Sequence, residues 1–364
     1  MMKRCHIQSL ATLQLLAIVA VVGTHFWLDD AAYLQALCVS FCFLYSGYFT
    51  AATHRMDSHY RLRDHFEYML DKLAKLYPLH VFALALCLLA AYLYWGSNLA
   101  FSKVTLAHLT CLSPWIPTPS YYFGVNPVAW FLCDLFFLYL ISPLIIRLLR
   151  KVSLRCQVIV AVALIAVEMV AGYDWGSSSL PGQGGAHYFL YEFPPVRILD
   201  FTTGIVLYHV TQCSRWRAVA SRLTASRATL VEVGAVMLFL VFYWLGERLL
   251  HPHWYRAFCS VAPAVVTVMA AFSLTSGRDG VISRLMSMPW LGYLSGIGAE
   301  IYLLQFGVFA LVRYMAVRVG MPTQGVFYFA VQSIVLLLTA LAVHRCFVQP
   351  LYRRLRSKGN RQAC

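Results

Sequence analysis

The feature that most constrains this chain is a succession of apolar blocks about 20 residues long, the length a helix needs to cross roughly 30 Å of hydrocarbon. They fall at approximately 7–28, 33–52, 76–97, 128–147, 156–173, 196–213, 228–246, 256–275, 288–312 and 325–346, which predicts about ten transmembrane helices. The blocks lack the apolar/polar alternation of barrel strands, which argues against a closed barrel. Composition agrees: 60% of residues are hydrophobic and 12% are charged, whereas a soluble globule carries about a quarter charged residues. The expected fold is all-α, a polytopic membrane helix bundle. It forms a single domain over 1–364, with the bundle at about 7–346 and a basic tail at 347–364.

The net charge of +14 invites a nucleic-acid reading, but its distribution argues otherwise. Sorted by loop, 23 of the 29 Lys and Arg residues fall on one side of the predicted membrane. The other side receives five (Lys103, Arg248, Arg256, Arg313 and Arg318), and Arg197 is left at a helix start. That asymmetry is what the positive-inside rule produces, and it puts both termini in the cytoplasm. The charge orients helices, and no nucleic-acid partner is needed to explain it.

The connections say less. The first block is too long, and too poor in a small-residue cleavage site, for a removable signal peptide. The segment at 55–75 mixes both signs with aromatics; it reads either as an amphipathic helix on the headgroups or as a solvated loop. The expected outer loops at 98–127 and 174–193 are rich in Ser, Pro, Gly and Tyr, and 176–185 has a flexible composition. Most of the eleven cysteines lie inside apolar blocks, where they act as small hydrophobes; Cys111, in a polar connection, has no obvious partner. No internal repeat is visible, which lowers the prior for an inverted-repeat transporter.

Ionisable side chains inside hydrocarbon are expensive and point to function. The set is His25, Asp134, Glu168, Arg197, Asp200, His209, Glu232 and Glu300. Glu168 and Glu232 have no local partner and can pair across helices. Arg197 and Asp200 are three apart, on one helix face, which suits an ion pair as well as a catalytic role. His209 reads as structural. His25 lies in the outer third of the first span, and Asp29 shares its face if the helix continues. A carboxylate there can hold one ring nitrogen and leave the other as a base; alternatively Asp29 and Asp30 mark the membrane exit, with His25 an interface residue. No phosphate loop, CxxC pair or HExxH is present, and Asp64-His65 and His251-Pro252-His253 are too sparse for a metal site, so no metal is expected.

Several stretches, in order, resemble the acyltransferase-3 family of integral membrane O-acyltransferases: QLLAIVAVVGTH (14–25), FLYSGYF (43–49), KLYPLH (75–80), NPVAWFLCDLFFLYLISPLI (126–145), FPPVRILDFTTGIVL (193–207), LSGIGAEIYLLQF (294–306) and FVQPLYRRL (347–355). Each is weak alone, but seven in order cover nearly the whole chain. Within the family, the chain looks most like exopolysaccharide O-acetyltransferases of the xanthan type. It departs from the family pattern at Gln14 (usually Arg), Asp200 (Glu), Gln305 (often His) and Gln349 (Glu). Losing the Arg removes a cation for the donor; Gln14 still donates a hydrogen bond but carries no charge.

The resemblance implies transfer of an acetyl or other small acyl group from acyl-CoA, chiefly acetyl-CoA, to a hydroxyl of a cell-surface or exopolysaccharide sugar on a lipid-linked precursor. It implies a multi-pass protein of the bacterial inner membrane, with no bound cofactor, in contact with membrane lipid and with polysaccharide-assembly proteins. The catalytic set it points to is His25 as base, Asp29 or Asp30 as orienting carboxylate, and Tyr302, with Gln305, Ser46 or Trp130 as alternatives, as oxyanion donor. Substrate and donor contacts are expected from Gln14, Ser46, Lys75, Tyr77, Trp130, Asp134, Arg197, Asp200, Glu300 and Gln305, with Arg197 or Lys75 supplying the missing cation. The competing readings are a transporter or flippase of a lipid-linked saccharide, and a non-catalytic member of a polysaccharide-assembly complex.

Overall fold

The computed structural model describes residues 2–27, 32–53, 60–96, 102–175, 185, 188–249 and 261–362. Asp29, Asp30, the His251-Pro252-His253 stretch and most of the 176–185 loop lie outside the described residues. The helices in chain order are α1 (Met2–Phe26), α2 (Ala32–Thr53), α3 (Leu62–Trp95), α4 (Lys103–Leu109), α5 (Pro119–Tyr122), α6 (Ala129–Arg150), α7 (Leu154–Trp175) and α8 (Arg197–Gln212). They continue with α9 (Ser214–Ser221), α10 (Ala225–Leu249), α11 (Val261–Thr275), α12 (Val281–Met286), α13 (Pro289–Ser295), α14 (Gly298–Arg318), α15 (Val326–Val343) and α16 (Gln349–Gln362). No strand occurs among the described residues, so the chain is an all-α polytopic bundle.

Eight helices among the described residues are long and apolar enough to cross a membrane, where about ten segments were expected. The predicted span at 196–213 is the 16-residue α8, which opens with Arg197 and Asp200 in its first turn. The one at 256–275 is described as the 15-residue α11. The span expected at 288–312 is broken: α13 ends at Ser295, and α14 starts at Gly298. The third span begins far earlier than the expected 76, because the Arg61 amide donates to the Asp64 carboxylate at 2.7 Å and nucleates a helix at Leu62. Residues 62–75 are therefore the first turns of α3 rather than a separate amphipathic helix. The helix stops at Gly96, whose φ of 62° lets its amide bond back to the Tyr92 carbonyl.

The chain forms two compact units, 1–60 with 141–296, and 61–140 with 297–364. In the first, α2 is the central element: 78% of its spanning window is buried, against 17% for α7 and for α10. The outer faces of those two carry Ile159, Val162, Leu230 and Met237 exposed, the pattern of lipid-facing helices. α2 packs on α1, α11 and, most extensively, α8. The α2–α8 contact is made backbone to backbone. A Cβ on Gly47 would stand 1.9 Å from the Phe201 carbonyl oxygen, and one on Gly204 would stand 2.0 Å from the Leu44 carbonyl oxygen. Small residues at such crossings are how membrane helices gain packing energy in the absence of a hydrophobic drive. The N-terminal half of α1 is tied down by Gln8 and Thr12, which donate to the carbonyls of Ser287 (2.9 Å) and Met286 (2.7 Å).

In the second unit α14 packs against α3 and α15, and α16 folds back on α3, where the Tyr352 hydroxyl donates to the Asp71 carboxylate at 2.6 Å. The connection from 102 to 128, which holds α4 and α5, is anchored on α14 by the Asn126 side chain, whose amide donates to the Leu303 carbonyl at 3.0 Å.

Gly204→Ala, which forces α2 and α8 apart, is expected to cost at least about 2 kcal/mol, as overpacking does. Gly234→Ala, with nothing within 4 Å of the added carbon, should be neutral or slightly stabilising. Thermal unfolding of the two variants in detergent checks this; equal midpoints would remove the α2–α8 contact from its central role.

Candidate active site

His25 occupies the last turn of α1, the position the apolar pattern predicted. Its imidazole is half-buried and meets the Phe26 ring edge-on at 6.0 Å. Gln14 is also half-buried and stands eleven residues earlier on the same helix. Eleven residues are just over three whole turns, so the two side chains share a face about 16 Å apart. Asp29 and Asp30, expected to orient the ring, lie outside the described residues.

In the same unit Arg197 and Asp200 form a buried ion pair at 3.0 Å, with both side chains 2% exposed. The Arg197 guanidinium also donates to the Tyr191 carbonyl at 2.9 Å and to the Ser40 hydroxyl at 3.2 Å, and it lies over the rings of Phe43 and Tyr191. An arginine held on five groups is built into helix packing, which argues against its standing in as a movable cation for the donor. Glu168 is buried against the same pair. Ser46 spends its proton on the Cys42 carbonyl one turn back, at 2.7 Å. Glu232 is no isolated carboxylate: it accepts from the amides of Ile282 (2.9 Å) and Ser283 (3.2 Å). His209 bonds to Gln157 at 2.7 Å, in keeping with a structural role.

The second unit holds the other expected residues. On α14 the Glu300 carboxylate meets His344 Nδ1 at 2.6 Å, and the Gln305 amide donates to the Tyr302 carbonyl at 2.8 Å. The Tyr302 ring packs on Phe131 at 5.2 Å. Trp130 and Asp134 sit one turn apart on α6, 2% and 0% exposed. Lys75 projects from α3 into an exposed position and is the more available of the two cations considered for the donor.

Tyr77 does something the motif did not reveal. Its hydroxyl donates to the Leu109 carbonyl at 2.9 Å, while His80 Nε2 bonds to the His108 carbonyl at 2.9 Å. These are successive carbonyls in the last turn of α4; that of His108 also accepts from the Cys111 amide at 3.0 Å. The KLYPLH stretch thus caps α4. His108 in turn bonds through Nε2 to the Tyr121 carbonyl at 2.8 Å, and burial pushes its imidazole down to about 4, so the ring is neutral.

Sequence reasoning missed Ser40, Tyr191 and His344. His344 was findable, since it is an ionisable residue at the end of the last apolar block. Ser40 and Tyr191 carry no local signal; they matter because of what lies beside them in space.

Removing the cation alone, in Arg197→Met, strands Asp200 and is expected to cost about 3–5 kcal/mol. Replacing both, in Arg197→Met with Asp200→Leu, should recover most of that loss. Melting curves of the two proteins decide it, and a single variant as stable as the wild type would mean that the pair holds nothing together.

The comparisons with known proteins agree with this architecture. A family profile described as an acyltransferase domain (acyltransferase-3) matches residues 7–345. Acyltransferase MdmB of Streptomyces mycarofaciens is 26% identical over 307 residues, spanning 80% of this chain and 70% of that protein. No solved structure matches the chain. Since the match runs from the first helix through the last apolar one and takes in His25 and the Arg197–Asp200 pair, the chain belongs to the acyltransferase-3 family.

Proposed function

We propose that this membrane acyltransferase moves an acetyl or other small acyl group from acyl-CoA to a sugar hydroxyl of an exopolysaccharide or cell-surface glycan, carried on a lipid-linked precursor at the bacterial inner membrane. The observation that carries the reading is His25. It is a half-exposed imidazole at the end of the first spanning helix. By contrast, Arg197, Asp200, Glu232 and Glu300 are almost fully buried and held by structural partners. A group fixed on all sides stabilises a fold; a group that a substrate can reach is suited to chemistry.

In the proposed reaction the sugar oxygen attacks the thioester carbonyl carbon while a ring nitrogen of His25 takes the hydroxyl proton. The C–S bond then breaks, and the imidazolium returns that proton to the departing CoA sulfur. Asp29 or Asp30 orients the ring. The Lys/Arg-rich connections attract the CoA phosphates. Gln14, on the face of His25, offers the donor a hydrogen bond without a charge.

A positioned base contributes about 10²–10⁴-fold to rate, so His25→Ala should lower acyl transfer at least about a hundredfold and leave a folded, membrane-inserted protein. Mass spectrometry of surface polysaccharide from cells carrying the variant reads this directly, and normal acylation there would end the assignment. Acyl-CoA consumption by the purified protein separates the rivals, because a flippase or a scaffold consumes none.

Gln14→Arg restores a charge-assisted contact and is expected to lower the KM for acyl-CoA several-fold with kcat little changed. Steady-state kinetics in detergent tests it, and an unchanged KM would place the donor away from this helix face.

A further inference from the structure

We propose that His80, Cys111 and Cys133 bind a zinc ion and leave one coordination position open. The three residues come from three elements of the second unit: α3, the turn after α4, and the start of α6. One ligating atom from each lies within 4.8 Å of the other two. Around tetrahedral zinc, with bonds of about 2.3 Å to sulfur and 2.0 Å to nitrogen, such atoms stand about 3.5–3.8 Å apart. Closing onto an ion therefore needs shifts of about 1 Å or less. Two thiols and an imidazole form a borderline-soft donor set, which suits zinc and not the oxygen-seeking magnesium or calcium.

Two further observations point to a ligand. His80 is fully buried, and a carbonyl can only accept, so the contact with His108 fixes the proton on Nε2 and the lone pair on Nδ1. Among the described residues no nitrogen or oxygen donor bonds to that Nδ1, which leaves it to the neighbouring thiols. Metal-binding histidines are held in this way, with one nitrogen donating to a carbonyl and the other facing the ion.

The second observation is the backbone at Cys111. The Leu112 amide bonds to the Ala107 carbonyl and the Cys111 amide to the His108 carbonyl, a Schellman ending of α4. Cys111 occupies the left-handed position of that motif, at φ 56°, where glycine is the usual residue. A side chain retained at a strained position is a mark of function. Cys111 is half-buried, so water can reach the fourth position, and no fourth Cys, His, Asp or Glu joins the group among the described residues. The inference does not depend on the acyl-transfer reading.

The test uses the full-length, untagged protein in detergent. Elemental analysis should find about one zinc per chain. After chelation under reducing conditions, Co²⁺ should restore a thiolate-to-cobalt charge-transfer band. Cys111→Gly relieves the strained backbone and should fold at least as well as the wild type, yet lose at least tenfold in zinc content and the cobalt band; Cys133→Ala should lose both as well. If Cys133→Ala fails to fold, Cys111→Gly decides alone. A disulfide joining Cys111 to Cys133 in the unreduced protein overturns the proposal. So does a reduced wild type without the cobalt band, or zinc retained in Cys111→Gly.

Discussion

The first unit depends on how closely two backbones approach. Gly47 and Gly204 let α2 and α8 touch at a distance that no Cβ permits. Two turns earlier on each helix, Ser40 meets Arg197. The contacts therefore run in the same direction along both helices: Ser40 with Arg197, then the Leu44–Gly47 region with Phe201 and Gly204. Any separation at the glycines would draw Ser40 and Phe43 away from the guanidinium and leave a buried cation short of partners. Backbone packing and charge burial are thus one problem with one solution, which is why the glycines and the arginine sit at matching seven-residue spacings.

That solution separates two kinds of intramembrane polar group. Arg197 with Asp200, Glu300 with His344, and Glu232 with two backbone amides are each held in fixed geometry. Taking such groups out of water is costly, and close partners offset the cost by locking the helices in register. His25 differs in exposure: it stands at a helix end and keeps part of its surface exposed. The base role proposed for His25 needs a route to water or substrate, which full burial would deny it.

Block length was enough to read the all-α membrane bundle from sequence, because the thickness of the bilayer sets it. Boundaries were less legible where a single local interaction decides them. Asp64 starts α3 many residues before its apolar block, and a two-residue break ends α13 ahead of α14. The intramembrane ionisable residues were singled out by their cost in lipid. Their partners were not: His344 reaches Glu300 across 44 residues of sequence, and Tyr191 offers Arg197 only a carbonyl and a ring face. Hydropathy also treats a buried cysteine as a small hydrophobe, a rule that hid the neighbours of Cys111.

The KLYPLH stretch shows how a motif can look like a substrate contact and serve architecture. Tyr77 and His80 lie three residues apart, so they share a face of α3 and reach consecutive carbonyls in the last turn of α4. The C-terminal end of a helix carries partial negative charge and unsatisfied acceptors, and a hydroxyl and an imidazole N–H are suited to both. Between them stands Pro78, which removes one amide from the α3 ladder. Fixing the end of α4 also fixes the left-handed turn at Cys111, because the turn's two hydrogen bonds return to Ala107 and His108. One contact with a helix end therefore places a strained cysteine beside a buried imidazole, and it does so through backbone carbonyls that no pattern of side chains in the sequence records.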